Sequence, residues 1–316
     1  MKKILVTGGS GLVGSALKKV SSDFVEQYEF IFVKSSEFDL TQMRDTVSMF
    51  EKYNPDFVIH LAACVGGLYK NMNFKVDMLE KNLLMNFNVV KCCHDFAVEK
   101  LIACLSTCIF PDKTSYPINE SMLHNGAPHS SNDAYAYAKR MLEIHCKAYR
   151  ENYGDNFICV IPTNIYGPHD NFNLEDGHVL PSLIHKCFLA REKDVDFDVR
   201  GTGAPLRQFI YSEDLAKLIL VSLEHFNEES LILSVGEKQE VTIGHVANLI
   251  AQQFDYEDRI VFDYNYSDGQ YKKTADNSKL LNLLEENNIS FEFTSIENGI
   301  SESVEWFKKN YETLRK

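Results

Sequence analysis

At 316 residues the chain is long enough for one large domain or for two that share a core. Its composition, 45% hydrophobic and 24% charged with only 16 Gly and 8 Pro, is that of a globular protein and excludes a disordered or fibrous one. A formal charge of -13 at pH 7 excludes bulk attraction to nucleic acid or to an anionic membrane, so a phosphate-bearing ligand has to be held by a few locally gathered cations.

The chain opens on Met1-Lys2-Lys3, and only Ile4-Leu5-Val6 separates these lysines from Thr7-Gly8-Gly9, too short for the apolar core of a signal peptide. No run of 18 apolar residues occurs, so no membrane span is expected. Lys3–Thr7 reads as a strand and Leu12–Val20 as the helix after it. Between them Gly8-Gly9-Ser10-Gly11-Leu12-Val13-Gly14 satisfies both G-x-G-x-x-G and T-G-x-x-G-x-x-G. Such glycines let the backbone turn tightly and approach a pyrophosphate, while the helix start offers unpaired N–H groups to it. The strand before and the helix after give the motif the context a dinucleotide site requires.

Phe30–Val33 is the next strand, followed by a helix over Thr41–Lys52, a strand over Phe57–Leu61 and a helix over Asn82–Val98. An NAD site places Asp or Glu after the second strand to bond the ribose diol, whereas this chain has Lys34-Ser35-Ser36. A cation with two hydroxyls suits a 2′-phosphate, so NADP(H) is expected; a solvated surface lysine is the alternative for Lys34. Asp39-Leu40 and Leu61-Ala62-Ala63 stand where adenine and pyrophosphate would pass, or are ordinary strand-end sequence.

Leu101–Leu105 is an apolar strand ending in Ser106-Thr107-Cys108, at the carboxyl edge where open α/β sheets bind ligands. The helix over Ala136–Asn152 is preceded by Tyr135 and carries Lys139, one turn apart on one face. An ammonium near a phenol favours the phenolate, which would bring Tyr135 toward neutral pH for proton exchange with a carbonyl oxygen. Phe157–Ile161 adds a further strand, and the whole predicts an α/β doubly wound parallel sheet, a Rossmann fold.

After Pro162 a loop rich in Gly, Pro, Asn and Asp runs to Gly177, with a helix from about Pro181 to Arg191. Phe209–Tyr211 and the helix after Asp214 read as a return to the sheet, and residues 240–316 as small mixed elements ending in a helix over Val304–Leu314. The expected division is a cofactor domain of residues 1–165 with about 204–236, and a smaller α/β substrate domain of 166–203 with 237–316. Eight cysteines without a C-x-x-C pair predict a reduced, cytoplasmic protein with no bound metal.

With its glycine turn, Ser106, Tyr135 and Lys139, the chain resembles the extended short-chain dehydrogenase/reductases, most of which modify nucleotide sugars. Four further segments look like the GDP-L-fucose synthase branch: Leu105-Ser106-Thr107-Cys108-Ile109-Phe110-Pro111, His60-Leu61-Ala62-Ala63-Cys64-Val65-Gly66-Gly67, Pro162 to Phe172, and Gly177-His178-Val179-Leu180-Pro181. The resemblance implies NADPH-dependent conversion of GDP-4-keto-6-deoxy-D-mannose to GDP-L-fucose, with carbons 3 and 5 epimerised before the carbon 4 ketone is reduced. It implies Cys108 as base and His178 as acid in the epimerisation. Tyr135 would be the proton donor, Ser106 would orient the carbonyl, and Lys139 would hold the nicotinamide ribose, with Pro162 and Asn164 also near the cofactor.

By the same resemblance Asn164, His178, Val179 and Leu183 would line the sugar and ribose, while Arg207 and Lys273 would meet the diphosphate. Many relatives carry an aromatic residue where this chain has Arg200, so a stacked guanidinium is the expected substitute. The helices of residues 82–98 and 136–152 would pair into a homodimer. Another nucleotide-sugar 4-reductase or 4-epimerase, or a non-enzymatic NADP-binding protein, are the alternatives; the joint presence of Cys108 and His178 argues against the first, and the Tyr135–Lys139 pair against the second.

Overall fold

The computed structural model describes residues 1–266, 268 and 270–316. β1 (Lys2–Thr7), α1 (Leu12–Val20), β2 (Tyr28–Phe32), α2 (Met43–Tyr53) and β3 (Phe57–His60) alternate as expected. They are followed by α3 (Leu68–Asn73), α4 (Lys75–Asp95), β4 (Lys100–Cys104), α5 (Asp133–Tyr153) and β5 (Phe157–Pro162). Ile4, Leu5 and Val6 in β1, and Leu101, Ile102 and Ala103 in β4, are fully buried, since a parallel strand is covered on both faces.

Beyond β5 come β6 (Asn164–Tyr166), α6 (Val179–Glu192), β7 (Phe197–Arg200), β8 (Leu206–Arg207), β9 (Phe209–Tyr211), α7 (Ser212–His225) and β10 (Ser230–Leu233). The remainder holds β11 (Val241–Thr242), α8 (Ile243–Gln252), β12 (Ile260–Asp263), α9 (Ser278–Glu286) and α10 (Ile296–Asn310). The main sheet has six parallel strands in the order β10-β5-β4-β3-β1-β2. The chain leaves β1 toward β2 and then crosses to β3 on the other side, so the switch in winding lies between β1 and β3. A ligand crevice is expected at the carboxyl ends of those two strands.

Three boundaries differ from the sequence expectation. α4 begins seven residues before Asn82, because its first two turns bury only Met78 and so show no apolar periodicity. The return to the main sheet is made by β10; β9 pairs with β6 in a separate two-stranded ladder. α10 runs over Ile296–Asn310 instead of 304–314, started by Ser295, whose hydroxyl accepts the Asn298 N–H at 3.2 Å.

One face of the main sheet packs with α2, α4 and α5 around Phe50, Val89, Leu101 and Phe157. The other packs with α1 and α7 around Val6, Leu17, Ile102 and Leu215, and is joined by Leu280, Leu283 and Leu284 of α9. A third core, built from Tyr166, Phe172, Ile184, Phe197, Val246 and Phe307, draws on α6, β7, α8 and α10.

Candidate functional site

The glycine turn sits at the β1–β3 switch. Gly8 has φ +71, in the left-handed region, and a Cβ there would lie 2.8 Å from the Ala62 amide nitrogen. A Cβ on Gly14 would strike the Gly8 carbonyl oxygen. Both glycines are therefore required for β1 to turn into α1 against the end of β3. The helix starts at Gly11 with no side-chain cap, leaving its first N–H groups to a ligand. This cradle fits a pyrophosphate, and Leu61, Ala62 and Ala63 form its wall.

Below the turn lies a buried relay. The Ala62 N–H donates to the Thr7 hydroxyl at 3.2 Å, leaving that hydroxyl to donate to His60 Nδ1 at 2.8 Å. His60 Nε2–H then donates to Asn86 Oδ1 at 3.1 Å. Burial lowers the imidazole to about 3, so His60 is neutral and this tautomer is fixed. His60 ends β3, and its ring ties the turn to α4.

Lys34, Ser35 and Ser36 are exposed after β2, free to meet a 2′-phosphate, and the Lys34 N–H donates to the Glu37 carboxylate at 2.8 Å. Asp39 is exposed and accepts the Thr41 N–H and hydroxyl at 3.0 and 2.7 Å. The Leu40 side chain is buried, and its carbonyl accepts from Asn88 at 2.9 Å.

β4 delivers the reactive groups to the same edge. Ser106 caps a short turn over Thr107–Ile109, and its hydroxyl accepts the Cys108 N–H at 3.5 Å. Lys139, only 1% exposed, donates to the Cys104 carbonyl at 2.8 Å, while its ammonium lies 5.9 Å from the Tyr135 ring centre. Here the expected direction for Tyr135 is reversed. Burial beside Cys108, Cys104 and Cys64 pushes the phenol well above its usual value, and the nearby ammonium is spent on a carbonyl. Tyr135 is thus held as a neutral phenol, the form that can give a proton.

Burial also raises the Cys108 thiol, against the pull of Ser106, Lys273 and Lys139. His178 begins α6, which follows a loop anchored where the Gly67 N–H donates to the Asp176 carbonyl at 2.8 Å. Although the residue reaches the surface, the protein packed around it disfavours the charged form and lowers the imidazole, with Arg315 adding to the effect. At neutral pH the thiol therefore holds its proton and the imidazole does not.

On the substrate side, Arg207 is fixed by donating to the carbonyls of Leu206 and Gln270 at 2.7 and 2.8 Å. Lys273 lies near both Arg207 and Cys108 and is lowered by burial and then by Arg207. Asn164 is half-buried beside buried Pro162, and its carboxamide donates to the Gln208 carbonyl at 2.9 Å. Arg200 stacks on Tyr266 at 4.5 Å. Val179 is exposed, but Leu183 is 4% exposed and packed in the third core, so it supports the pocket and does not line it. Lys186 is one more cation near Arg200. Half-buried on α6, it is lowered by burial and then by Arg200, and a lone lysine in an amphipathic helix gives no signal in sequence.

Among the described residues no group of three or more His, Cys, Asp or Glu is placed to hold a metal ion, and no helix is long and apolar enough to cross a membrane.

Comparison with known proteins agrees with this geometry. Residues 4–236 match the NAD dependent epimerase/dehydratase family. The chain is 52% identical over 317 residues to the GDP-L-fucose synthase of Dictyostelium discoideum, covering 100% of this chain and 98% of the relative. It is 48% identical over 325 residues to the probable GDP-L-fucose synthase of Drosophila melanogaster, covering 100% of each. The crystal structure of a GDP-L-fucose synthetase from Naegleria fowleri bound to NADP superimposes with a TM-score of 0.93 at 49% identity, covering 100% of this chain and 95% of that one.

Proposed function

The chain belongs to the NAD dependent epimerase/dehydratase family and, within it, to the GDP-L-fucose synthases, and from that membership we propose how its residues divide the reaction. It converts GDP-4-keto-6-deoxy-D-mannose to GDP-L-fucose with NADP(H) as cofactor. The observation that carries the reading is the gathering of Ser106, Cys108, Tyr135 and Lys139 at the carboxyl edge of the sheet, where the glycine turn also lies.

The carbon 4 ketone acidifies the protons on carbons 3 and 5, because the carbanion left behind is an enolate. Ser106 and Tyr135 are the hydroxyls that stabilise its oxygen by hydrogen bonding. Inversion needs one group to remove a proton and another to return one from the opposite face, and Cys108 and His178 are that pair. At rest the thiol is protonated and the imidazole is not; the state with Cys108 as thiolate and His178 as imidazolium carries the same number of protons, and in it Cys108 is the base and His178 the acid. NADPH, held by the Gly8–Gly14 turn and by Lys34, Ser35 and Ser36, supplies the hydride for carbon 4 when bound. Tyr135, kept neutral by burial, gives the proton to the oxygen, and Lys139 braces the site through the Cys104 carbonyl.

Arg207 and Lys273 are assigned to the diphosphate, Arg200 on Tyr266 to the base, and the part built around the third core to the substrate. A homodimer through α4 and α5 is supported by Leu84, Phe87, Tyr137, Met141 and Ile144, large apolar side chains left exposed on those helices. A cytoplasmic compartment is supported by eight cysteines that are all free thiols.

Solvent exchange separates the roles. In D2O with GDP-4-keto-6-deoxy-D-mannose and no NADPH, Cys108→Ser is expected to slow deuterium entry at carbons 3 and 5 by about 100-fold or more. His178→Asn is expected to keep exchange while losing inversion. The opposite pattern would exchange the two roles, and unimpaired inversion in both variants would remove them from the mechanism.

A further inference from the structure

Beside Cys108 lies a small crevice whose free volume is about 10 Å³, room for one water-sized group. Asn132 and Lys273 line it together with Cys108. Asn132 is the residue before α5, a position where an Asn normally turns its carboxamide oxygen back onto the first helical N–H groups. Here it makes no such bond, and Asp133 accepts the Ala134 N–H instead, at 2.8 Å. The Asn132 Oδ1 is buried and has no hydrogen-bond partner among the described residues.

A buried acceptor left unpaired is costly to keep, and such a cost is offset where a water, an ion or a ligand supplies the missing donor. The crevice admits one small group, and Cys108 and Lys273 line it with Asn132, beside the further polar residues Thr107, Asp112 and Gln270. A hydroxyl fits all three conditions: it can donate to Asn132 Oδ1, accept from Lys273, and fill the space of a single water.

We propose that Asn132 is a substrate-positioning residue whose carboxamide oxygen accepts a hydrogen bond from a hydroxyl of the hexose ring beside the carbons that Cys108 serves. This rests on the reading of Cys108 as an epimerising group. The bond fixes the ring so that the proton to be removed faces the sulfur. Three residues further on, Tyr135 stands on the same helix, so one rigid element sets both the sugar hydroxyl and the phenol.

Asn132→Ala tests this with three readouts: deuterium entry at carbons 3 and 5 in D2O, the Kd for NADPH, and Tm. Exchange is expected to slow about tenfold, the loss of one hydrogen bond in a dry site, with the NADPH Kd unchanged. Tm is expected to stay or rise, because the variant deletes an unpaired buried acceptor. Asn132→Asp, which keeps an acceptor of the same shape, should exchange faster than the alanine variant. Exchange within twofold of wild type in Asn132→Ala overturns the proposal. So does a fall in Tm with exchange unchanged, which assigns the crevice to a structural water, and so does slowing with a fall in Tm that Asn132→Asp does not restore. Absence of exchange in the wild-type protein would instead refute the epimerase reading itself.

Discussion

Cys108 and His178 are displaced in opposite directions, the thiol upward and the imidazole downward, both chiefly by burial. Between the two titrations the pair carries one proton, and only that state holds both a donor and an acceptor. Below the lower step both groups are protonated and nothing can take the substrate proton; above the upper step neither can give one. Deuterium exchange should therefore plateau from below about 6.5 to above about 8.5, the ordinary imidazole and thiol values, and fall on both sides. The two limbs belong to the pair and not to either residue alone. A narrow maximum near pH 7 would show that these displacements do not operate during turnover. Cys108 and His178 stand out in sequence as candidates because each sits in a distinctive local string. Their protonation is not legible there, since it depends on how much protein surrounds each ring and thiol. Tyr135 shows the same division: Tyr135-x-x-x-Lys139 marks the helix face, but the Cys104 carbonyl that captures Lys139 is 35 residues away in sequence.

α4 and α5 do two jobs with two faces. Their inner faces cover the sheet, where Leu142, Cys146, Val89 and Cys93 are buried, and α5 also presents Lys139 to the end of β4. Their outer faces leave Phe87 at 51% and Met141 at 48% exposed, around a groove of about 290 Å³ that includes Leu83, Ala138 and His145. A charge placed there would be desolvated without a partner if a second copy covers the groove. Met141→Lys with Ile144→Lys is expected to shift the protein from dimer to monomer in light scattering while leaving its folded circular dichroism intact. An unchanged mass would move the interface elsewhere. The apolar positions of α5 recur with helical period and mark it in sequence to within a few residues, whereas the first two turns of α4 bury only Met78 and carry no apolar stripe to mark them.

At the scale of the whole molecule the sheet topology puts two ligand regions on one edge without merging their cores. The glycine turn and the end of β2 rest on the main sheet, while Arg200, Arg207 and Lys186 are carried by β7, β8 and α6 around the third core. Sequence order gave the parallel sheet up to β5. It misassigned the last crossing because Phe209–Tyr211 and Ser230–Leu233 are equally short apolar runs, and only long-range pairing distinguishes them. Likewise the return of α9 to the main sheet beside β10 leaves no mark in local composition. The separation has a measurable consequence. A ligand at a hundred times its Kd stabilises the native protein by about 2.7 kcal/mol, but amides that open locally are protected only where the ligand touches them. In hydrogen-exchange mass spectrometry NADPH should protect residues 8–14 and 34–40, and GDP should protect residues 200–207 and 270–273. Protection of the glycine turn by GDP alone, with residues 200–207 unaffected, would refute the assignment of the substrate nucleotide to the third core.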